Sequence, residues 1–201
     1  MHKQHLINEY DRKKSIIRKR LGSFAKPKSD KALFVELCFC LCTPQSNAKR
    51  VATIINENNH VKLFNAGLDE LRQMLRSNAR FHNNKARYIV NARAYFPEIK
   101  NLPKHTIKAR EFLVKNIKGF GLKESSHFLR NIGYRDLCII DRHVVNMMHD
   151  LNVFKNKKMP SSHKQYFEME QKIKDFAKSM NIDVDELDLL LWSMKTGFVF
   201  K

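Results

Sequence analysis

The sequence predicts an all-α protein. Apolar residues recur at helical spacing along the chain; Leu122, Leu129 and Ile132, for example, share one face of a helix. The stretch 31–42 is apolar on nearly every side, which is typical of a helix buried at the centre of a domain. Connections rich in Gly, Pro and Ser, such as 22–29, separate the helices. A chain of 201 residues can therefore build one or two helical domains, each with its own core.

The first half of the chain is predicted to hold five helices. The first begins at residue 2 and ends near Gly22, and the others span 31–42, 46–58, 68–76 and 84–96. Asp30 is the expected N-cap of the second helix, which runs to Cys42. Thr43-Pro44-Gln45-Ser46 breaks this helix, and Pro44 suits the first turn of the next one. A polar connection, Ser77–Asn84, precedes the fifth helix.

Five further helices are predicted in the second half, at 106–116, 122–132, 142–151, 163–179 and 184–195. Pro97 and Pro103 bracket a loop before them, and a basic loop, KNKKMPSSHK, precedes the fourth. The chain ends in Phe198-Val199-Phe200-Lys201. Because this tail is apolar, we expect it to pack rather than fray as most termini do.

A tight hairpin, Ile117-Lys118-Gly119-Phe120-Gly121, joins the helices at 106–116 and 122–132. Its two glycines suit a backbone conformation that other residues avoid. They also let a phosphate approach the backbone N–H groups closely. Lys123 follows in the first turn of the next helix, and eighteen residues later Asp141 stands between an apolar run and an apolar-periodic segment. Asp141 is therefore an expected helix N-cap.

The composition indicates a polyanionic partner. The chain carries 38 Lys and Arg against 20 Asp and Glu, a formal charge of +18. Such a basic surface can serve solubility or ribosomal-type RNA binding. A charge this large more often indicates a polyanionic partner, and nucleic acid is the one expected here. The sequence shows no signal peptide and no apolar run long enough to span a membrane.

The cysteines indicate buried thiols rather than a metal centre. Cys38, Cys40 and Cys42 alternate through an apolar helix and therefore point in different directions; Cys138 is the fourth. No spaced C-terminal cysteine cluster exists, so an iron–sulfur cluster is not expected. Reduced, buried cysteines of an intracellular protein are the interpretation that fits.

The combination GFGLKESSHFLRNIG and IIDRH resembles the helix–hairpin–helix DNA glycosylases, and within them the archaeal-type 8-oxoguanine DNA glycosylase/AP lyases, the second family with that activity. The resemblance extends from LCFCLCTPQ to WSMKTGFVFK. It implies two helical domains with a DNA-lesion cleft between them. The expected first domain is a six-helix barrel at 31–137 with its helix–hairpin–helix motif at about 113–132, and the second combines 1–30 with 138–201.

The function that the resemblance implies is base-excision repair. The family excises 8-oxoguanine from duplex DNA and cleaves the abasic strand by β-elimination through a lysine Schiff base, which makes it both a glycosidase and a lyase. The expected partner is double-stranded DNA with 8-oxoguanine, bound by a monomer in the cytoplasm of a prokaryotic-type cell. Two alternatives remain open: a glycosylase for another damaged or mismatched base, and a non-catalytic hairpin DNA-binding module.

Lys123 and Asp141 match the catalytic lysine and aspartate of the family. An amine can attack the sugar C1′, and a carboxylate can stabilise oxocarbenium-like charge. The alternatives are a phosphate-binding lysine and a simple N-cap. The expected DNA phosphate contacts are Lys118, Gly119, Gly121, Arg130, Arg142 and His143. Arg130 and Arg142 can equally be solvated charges, and His143 can make a structural hydrogen bond. No cofactor is expected, although related hairpins bind a monovalent cation through backbone carbonyls.

Base recognition is the least derivable step. Gln45, and more weakly Asn47, occupy a loop whose polar residue often enters DNA in this superfamily; a backbone-bonded turn residue is the alternative. Phe81 is an expected wedge or else a core anchor. Trp192 either stacks on a base or packs in the core. The family's C-terminal lysine is implicated in lesion recognition, and Lys201 stands in that place, with a carboxylate able to accept the N7–H of 8-oxoguanine.

Overall fold

A computed structural model describes residues 3–201 and confirms the all-α prediction. The helices are α1 (Lys3–Phe24), α2 (Asp30–Cys42), α3 (Ala48–Ile54), α4 (His60–Asn65), α5 (Leu68–Leu75), α6 (His82–Arg93), α7 (Phe96–Lys100), α8 (Thr106–Asn116), α9 (Leu122–Asn131), α10 (Arg142–Asp150), α11 (His163–Ser179) and α12 (Val184–Thr196), with a 3-10 helix at Glu57–Asn59. No strand occurs in this part of the chain, and none of its helices has the length and apolar character to cross a membrane.

The chain forms two compact units. The central unit is Pro27–Ile132 and contains α2 to α9. The terminal unit combines the residues up to Lys26 with Gly133–Lys201, and so contains α1 and α10 to α12. Each unit therefore has a core of its own, and the central unit carries the hairpin.

The central unit is built around α2. Every residue from Phe34 to Cys42 is buried, and α2 packs against α4, α6 and α9. This confirms the buried central helix expected from the sequence. The N-cap differs from the prediction: the hydroxyl of Ser29, not the carboxylate of Asp30, accepts from the Ala32 amide. Asp30 instead accepts from Lys100 Nζ at 2.9 Å on the surface.

Two helices of the central unit, α4 and α7, were not anticipated, so the unit has eight α-helices rather than six. Each is short, and each places a phenylalanine against Phe34 of α2. The ring centroids of Phe34 lie 4.7 Å from Phe64 and 5.0 Å from Phe96. Pro97 does not open a loop but stands in the first turn of α7, where its missing N–H does no harm.

The terminal unit is built around α12, which packs against α1, α10 and α11. Its apolar side chains from Leu189 to Leu191 are fully buried. Glu186 joins α12 to α1, because its carboxylate accepts from the Tyr10 hydroxyl and, at 2.8 Å, from Arg18 Nε. Burial, with the Glu186 hydrogen bond second, raises the pKa of Tyr10 to about 12. These contacts anchor the N-terminal helix to the C-terminal half of the chain.

Candidate active site

The hairpin between α8 and α9 depends on Gly119. Its φ of +96° lies in the region that favours glycine, and a Cβ there would stand 2.5 Å from Cδ2 of Tyr88. The turn is closed by the Phe120 amide, which donates to the Ile117 carbonyl at 3.0 Å. Gly119 and Lys118 are both exposed at the tip. The hairpin therefore rests on the Tyr88 ring and presents an exposed cation and backbone beside it.

Gly121 is the N-cap of α9, but its amide is already occupied. The Glu124 carboxylate reaches back from the third helical residue and accepts from Gly121 N at 3.2 Å. A phosphate at this amide, as expected from the sequence, would have to displace an anion. The interpretation of Gly121 as a phosphate contact therefore gives way to a capping one, and Lys118 and Gly119 remain the exposed candidates on the hairpin.

Lys123 lies in the first turn of α9, with 27% of its side chain exposed. Its Nζ is 3.4 Å from Glu124 Oε1. The helix is fixed beneath it by Ser125, Phe128 and Leu129, all of which are fully buried. The amine is therefore carried on a rigid element and still reaches the surface.

Asp141 is the N-cap of α10, as predicted. Its Oδ1 accepts from the Val144 amide at 2.8 Å. Within residues 3–201 no group bonds its other carboxylate oxygen, Oδ2. The chain is held just before it, because the Tyr166 hydroxyl donates to the Cys138 carbonyl at 2.7 Å and Ile139 and Ile140 are buried. One oxygen therefore orients the carboxylate while the second is available for chemistry.

Two of the expected phosphate contacts are used inside the protein. Arg130 is only 3% exposed, and its Nε donates to Asn131 Oδ1 at 3.1 Å. Asn131 in turn donates to Glu36 at 2.7 Å, so the guanidinium belongs to a buried network and not to the surface. His143 Nε2 lies 2.8 Å from the Leu191 carbonyl and donates to it, which is the structural alternative. Arg142 is exposed and donates to the carbonyl of Lys157 at 3.1 Å.

Gln45 and Phe81 occupy two exposed turns of the central unit. Both have left-handed backbones, with φ of +55° and +57°, which is unusual for residues other than glycine. Phe81 is 52% exposed, and the guanidinium carbon of Arg80 lies 5.1 Å from its ring centroid. The weaker candidate, Asn47, is committed to capping, because its Oδ1 accepts from Arg50 N. Gln45 and Phe81 therefore remain candidates to enter DNA.

Sequence reasoning missed Lys85, a lysine of α6 that is only 4% exposed. Its Nζ donates at 2.7 Å to each of three oxygens: the carbonyls of Cys42 and Pro44 and the hydroxyl of Ser46. Burial lowers the pKa of Lys85, and the positive charge of Lys123 adds to this effect. The available signal was its spacing, since Lys85 stands four residues before the buried Ile89, on the core face of the helix.

The C-terminal tail packs against Trp192, as expected from its apolar residues. The indole centroid lies 5.5 Å from the ring of Phe198 and 6.1 Å from that of Phe200. The Thr196 hydroxyl bonds the Phe198 carbonyl at 3.1 Å and holds the turn. Trp192 and Lys201 are each partly exposed, so the tail keeps both near the surface of the terminal unit.

The four cysteines are free and buried, in agreement with the sequence-based interpretation. Burial raises the pKa of Cys42 to about 12, which leaves its thiol unreactive. Within residues 3–201, no three His, Cys, Asp or Glu side chains are grouped so that they could hold a metal ion.

Comparison with known sequences places the chain in a family. A family model described as "8-oxoguanine DNA glycosylase" matches residues 17–182. The 8-oxoguanine DNA glycosylase/AP lyase of Methanocaldococcus jannaschii is 40% identical over 194 residues, which cover 94% of this chain and 93% of its own. The enzyme of the same name from Fusobacterium nucleatum is 34% identical, with 100% of both chains covered.

Solved structures agree with this assignment. The crystal structure of the 8-oxoguanine DNA glycosylase of Thermotoga maritima is similar with a TM-score of 0.91 and 32% identity, over 98% of this chain and 97% of that one. The glycosylase/lyase of M. jannaschii, in complex with a 15-mer DNA containing 8-oxoguanine, has a TM-score of 0.89 and 36% identity, over 98% and 100%. This chain belongs to the helix–hairpin–helix family of 8-oxoguanine DNA glycosylases.

Proposed function

We propose that this protein excises 8-oxoguanine from double-stranded DNA and then cleaves the abasic strand, as a bifunctional glycosylase and AP lyase of base-excision repair. The observation that carries the proposal is full-length similarity to enzymes of that name, one of them in complex with DNA containing 8-oxoguanine. The formal charge of +18 supports a polyanionic partner.

Lys123 is the proposed nucleophile. Its neutral amine attacks the sugar C1′, the bond to the base breaks, and the base leaves with the bonding electrons. Opening of the sugar ring gives a Schiff base between Lys123 and C1′. Loss of a C2′ proton then expels the 3′ phosphate and cleaves the strand. Its partly exposed position in the first turn of α9, on a helix with a buried face, supports this role.

Asp141 is the proposed electrostatic partner in the same reaction. As the C1′ bond to the base breaks, positive charge develops on the sugar, and a fixed carboxylate stabilises it. Oδ1 of Asp141 is held by the Val144 amide, and Oδ2 has no bond to residues 3–201. A carboxylate whose orientation is set by one oxygen loses little order when the other meets the substrate. The reaction then uses an amine and a carboxylate and requires no cofactor.

DNA binding is assigned to the hairpin and to the two exposed turns. Lys118 and Gly119 offer a cation and an exposed backbone to a phosphate. Gln45 and Phe81 are proposed to fill the space that the extruded base leaves. Arg142, exposed at the start of α10, is a further proposed phosphate contact. These groups lie on turns and helix ends, where backbone and side chain can both reach DNA.

Recognition of the extruded base is proposed for Trp192 and Lys201. The indole gives a stacking surface, and the terminal carboxylate of Lys201 can accept the N7–H that 8-oxoguanine has and guanine lacks. The packing of Phe198 and Phe200 against Trp192 supports a fixed position for Lys201. We place the protein in the cytoplasm with chromosomal DNA, where such lesions would meet it.

The test is a panel of duplexes that each contain one lesion. We expect 8-oxoguanine to be excised faster than oxidised pyrimidines or mismatched thymine, and we expect borohydride to trap a covalent adduct. Faster excision of another base would assign the protein to a different lesion. Binding without trapping on any duplex would make it a non-catalytic DNA-binding module.

A further inference from the structure

The two exposed turns of the central unit are physically joined. We call residues Thr43–Ser46 the Gln45 turn and residues Arg76–Phe81 the Phe81 turn. Ser46, which follows Gln45, accepts a hydrogen bond from the amide of Arg80, which precedes Phe81, at 2.9 Å between N and Oγ. Gln45 and Phe81 therefore lie at neighbouring points of one surface, although they are 36 positions apart in sequence.

Lys85 forms the base of this junction. Its ammonium uses all three of its donors, two on carbonyls of the Gln45 turn and its preceding helix and one on Ser46 Oγ. Ser46 Oγ thus accepts two hydrogen bonds, one from Lys85 Nζ and one from the Arg80 amide of the Phe81 turn. Helix α6, which carries Lys85, begins directly after Phe81. Lys85, Ser46 and the two turns therefore form a closed ring of contacts.

The hydrogen bonds between the two turns stabilise backbone conformations that are otherwise unfavourable. Left-handed backbones at residues other than glycine cost free energy and persist only when their surroundings fix them. Gln45 and Phe81 both have this conformation, and both are exposed, so neither is held by burial of its own side chain. The Phe81 carbonyl accepts from the Asn84 and Lys85 amides at the start of α6. The hydrogen bonds of Ser46 to Lys85 and to the Arg80 amide then fix the Gln45 turn against the Phe81 turn.

The rest of α6 offers an internal comparison. Arg93, two turns further on, also donates to carbonyls of a distant segment, the C-terminal end of α4: its Nε lies 3.0 Å from the Leu63 oxygen and its Nη2 2.8 Å from the Ala66 oxygen. Burial lowers the pKa of both cations. Arg93, however, binds the end of α4, which carries no candidate DNA contact. The two cations thus separate general support of the fold from support of the exposed turns.

We propose that Lys85 is the positioning residue for base extrusion, because it locks the Gln45 and Phe81 turns into one rigid element that enters the DNA together. The inference rests on the proposed function, since it concerns how the 8-oxoguanine pair is opened. Lys85 touches neither the base nor the sugar in this role. It acts through the backbones of the two turns.

The test compares two substrates that differ only in the cost of extrusion. In one duplex 8-oxoguanine pairs with cytosine; in the other it faces a tetrahydrofuran abasic analogue, so the pair is already open. Single-turnover excision by Lys85→Met should be at least about tenfold slower than wild type on the paired lesion. On the unpaired lesion it should lie within about threefold of wild type, because little opening remains to be done.

Two further variants make the result decisive. Arg93→Met, the matched control, should change excision of the paired and unpaired lesions by the same factor. Ser46→Ala removes the junction but leaves Lys85 its two carbonyls; it should show the Lys85→Met pattern in weaker form, and it answers the question if Lys85→Met does not fold. Equal losses on both substrates in Lys85→Met and Ser46→Ala would overturn the inference. A wild-type protein inactive on both duplexes would instead remove the proposed function and the inference with it.

Discussion

The N-termini of α9 and α10 carry the two proposed catalytic groups and solve the same problem in opposite ways. The first amides of a helix attract anions and repel cations. At α10 the cap is itself an anion, Asp141, so capping and the proposed chemistry share one side chain. At α9 the cap is Gly121, which has no side chain, and a cation, Lys123, follows it.

Glu124 explains how α9 tolerates this arrangement. Its carboxylate bonds the Gly121 amide and lies 3.4 Å from Lys123 Nζ, so the anion that α9 needs comes from within the helix. The difference between the two ends teaches that Asp141 serves stability and the proposed reaction together. Lys123, a cation at a helix N-terminus, does not stabilise its helix there. Its position therefore favours a role in chemistry.

The largest expected effect comes from removing the amine at α9. In Lys123→Gln we expect borohydride trapping and strand cleavage to fall by about four orders of magnitude or more, because the nucleophile is lost. DNA affinity should change little. Gel-based trapping and a binding titration measure the two. Lys115→Gln, an exposed change on α8, is the control; trapping retained in Lys123→Gln would assign the nucleophile elsewhere.

Asp141→Asn separates the two uses of the α10 cap. Asparagine caps helices about as well as aspartate, so the free energy of unfolding should change by less than about 1 kcal/mol. Removal of the negative charge should slow excision by about two to three orders of magnitude. Asp183→Asn is a matched control, since Asp183 caps α12 through the Asp185 and Glu186 amides. It should leave excision unchanged. A small catalytic loss in Asp141→Asn would reduce Asp141 to a cap.

Asp185 lies at a third helix N-terminus, that of α12. The helix amides there favour its charged form, but burial favours its neutral form more strongly. Burial raises the pKa of Asp185 to about 6, and its Oδ1 has no hydrogen-bond partner in the described residues. Because the pKa is raised on folding, the protonated form favours the fold. This contribution is complete below the ordinary aspartate pKa and is lost as pH rises through about 6.

Asp185→Asn should therefore flatten the pH dependence of stability. At pH 7.5 the variant should be more stable than wild type by up to about 3 kcal/mol, and near pH 4 the two should be nearly equal. Chemical denaturation at pH 4, 5, 6 and 7.5 measures the free energy of unfolding. Asp175→Asn, a change at an exposed carboxylate of α11, should keep the wild-type slope. Parallel curves for Asp185→Asn and wild type would contradict the assigned pKa.

The smallest expected effect separates base recognition from the chemistry at the two helix ends. When Lys201 is deleted, loss of the acceptor for the N7–H should slow 8-oxoguanine excision by about one to two orders of magnitude. Cleavage of a preformed abasic site, which contains no base, should change less than about threefold. Kinetics on the two substrates decide the matter. Equal loss on both would mean that Lys201 supports the fold alone.

Local signals predicted most of the helices, and the family resemblance supplied the proposed catalytic pair. The bounds of α11 agree with the expected 163–179, and the Asp141 cap was visible because a cap needs only its own neighbours. The short helices α4 and α7 escaped prediction because helices of this length depend on packing more than on propensity. The Phe34, Phe64 and Phe96 cluster that holds them brings together three distant segments.

The roles of the cations were harder to foresee. Arg130 and Lys85 are as polar as any surface residue, and their partners lie far along the chain: Glu36, which Arg130 reaches through Asn131, and the Cys42 carbonyl, which binds Lys85. Composition favours the surface for such side chains, and only the folded chain supplies the acceptors that make burial tolerable. Charge alone therefore does not distinguish a cation that contacts phosphate from a buried cation that bonds the protein itself.

Helix α6 carries Lys85 beneath the two exposed turns and Tyr88 beneath Gly119 of the hairpin. The two side chains are three residues apart and thus on neighbouring parts of the helix surface. An insertion of one residue between them would turn Tyr88 by about 100° relative to Lys85. Lys85 and Tyr88 could then no longer support the two turns and the hairpin at the same time. The chain should tolerate length changes in its surface loops far better than any in His82–Arg93.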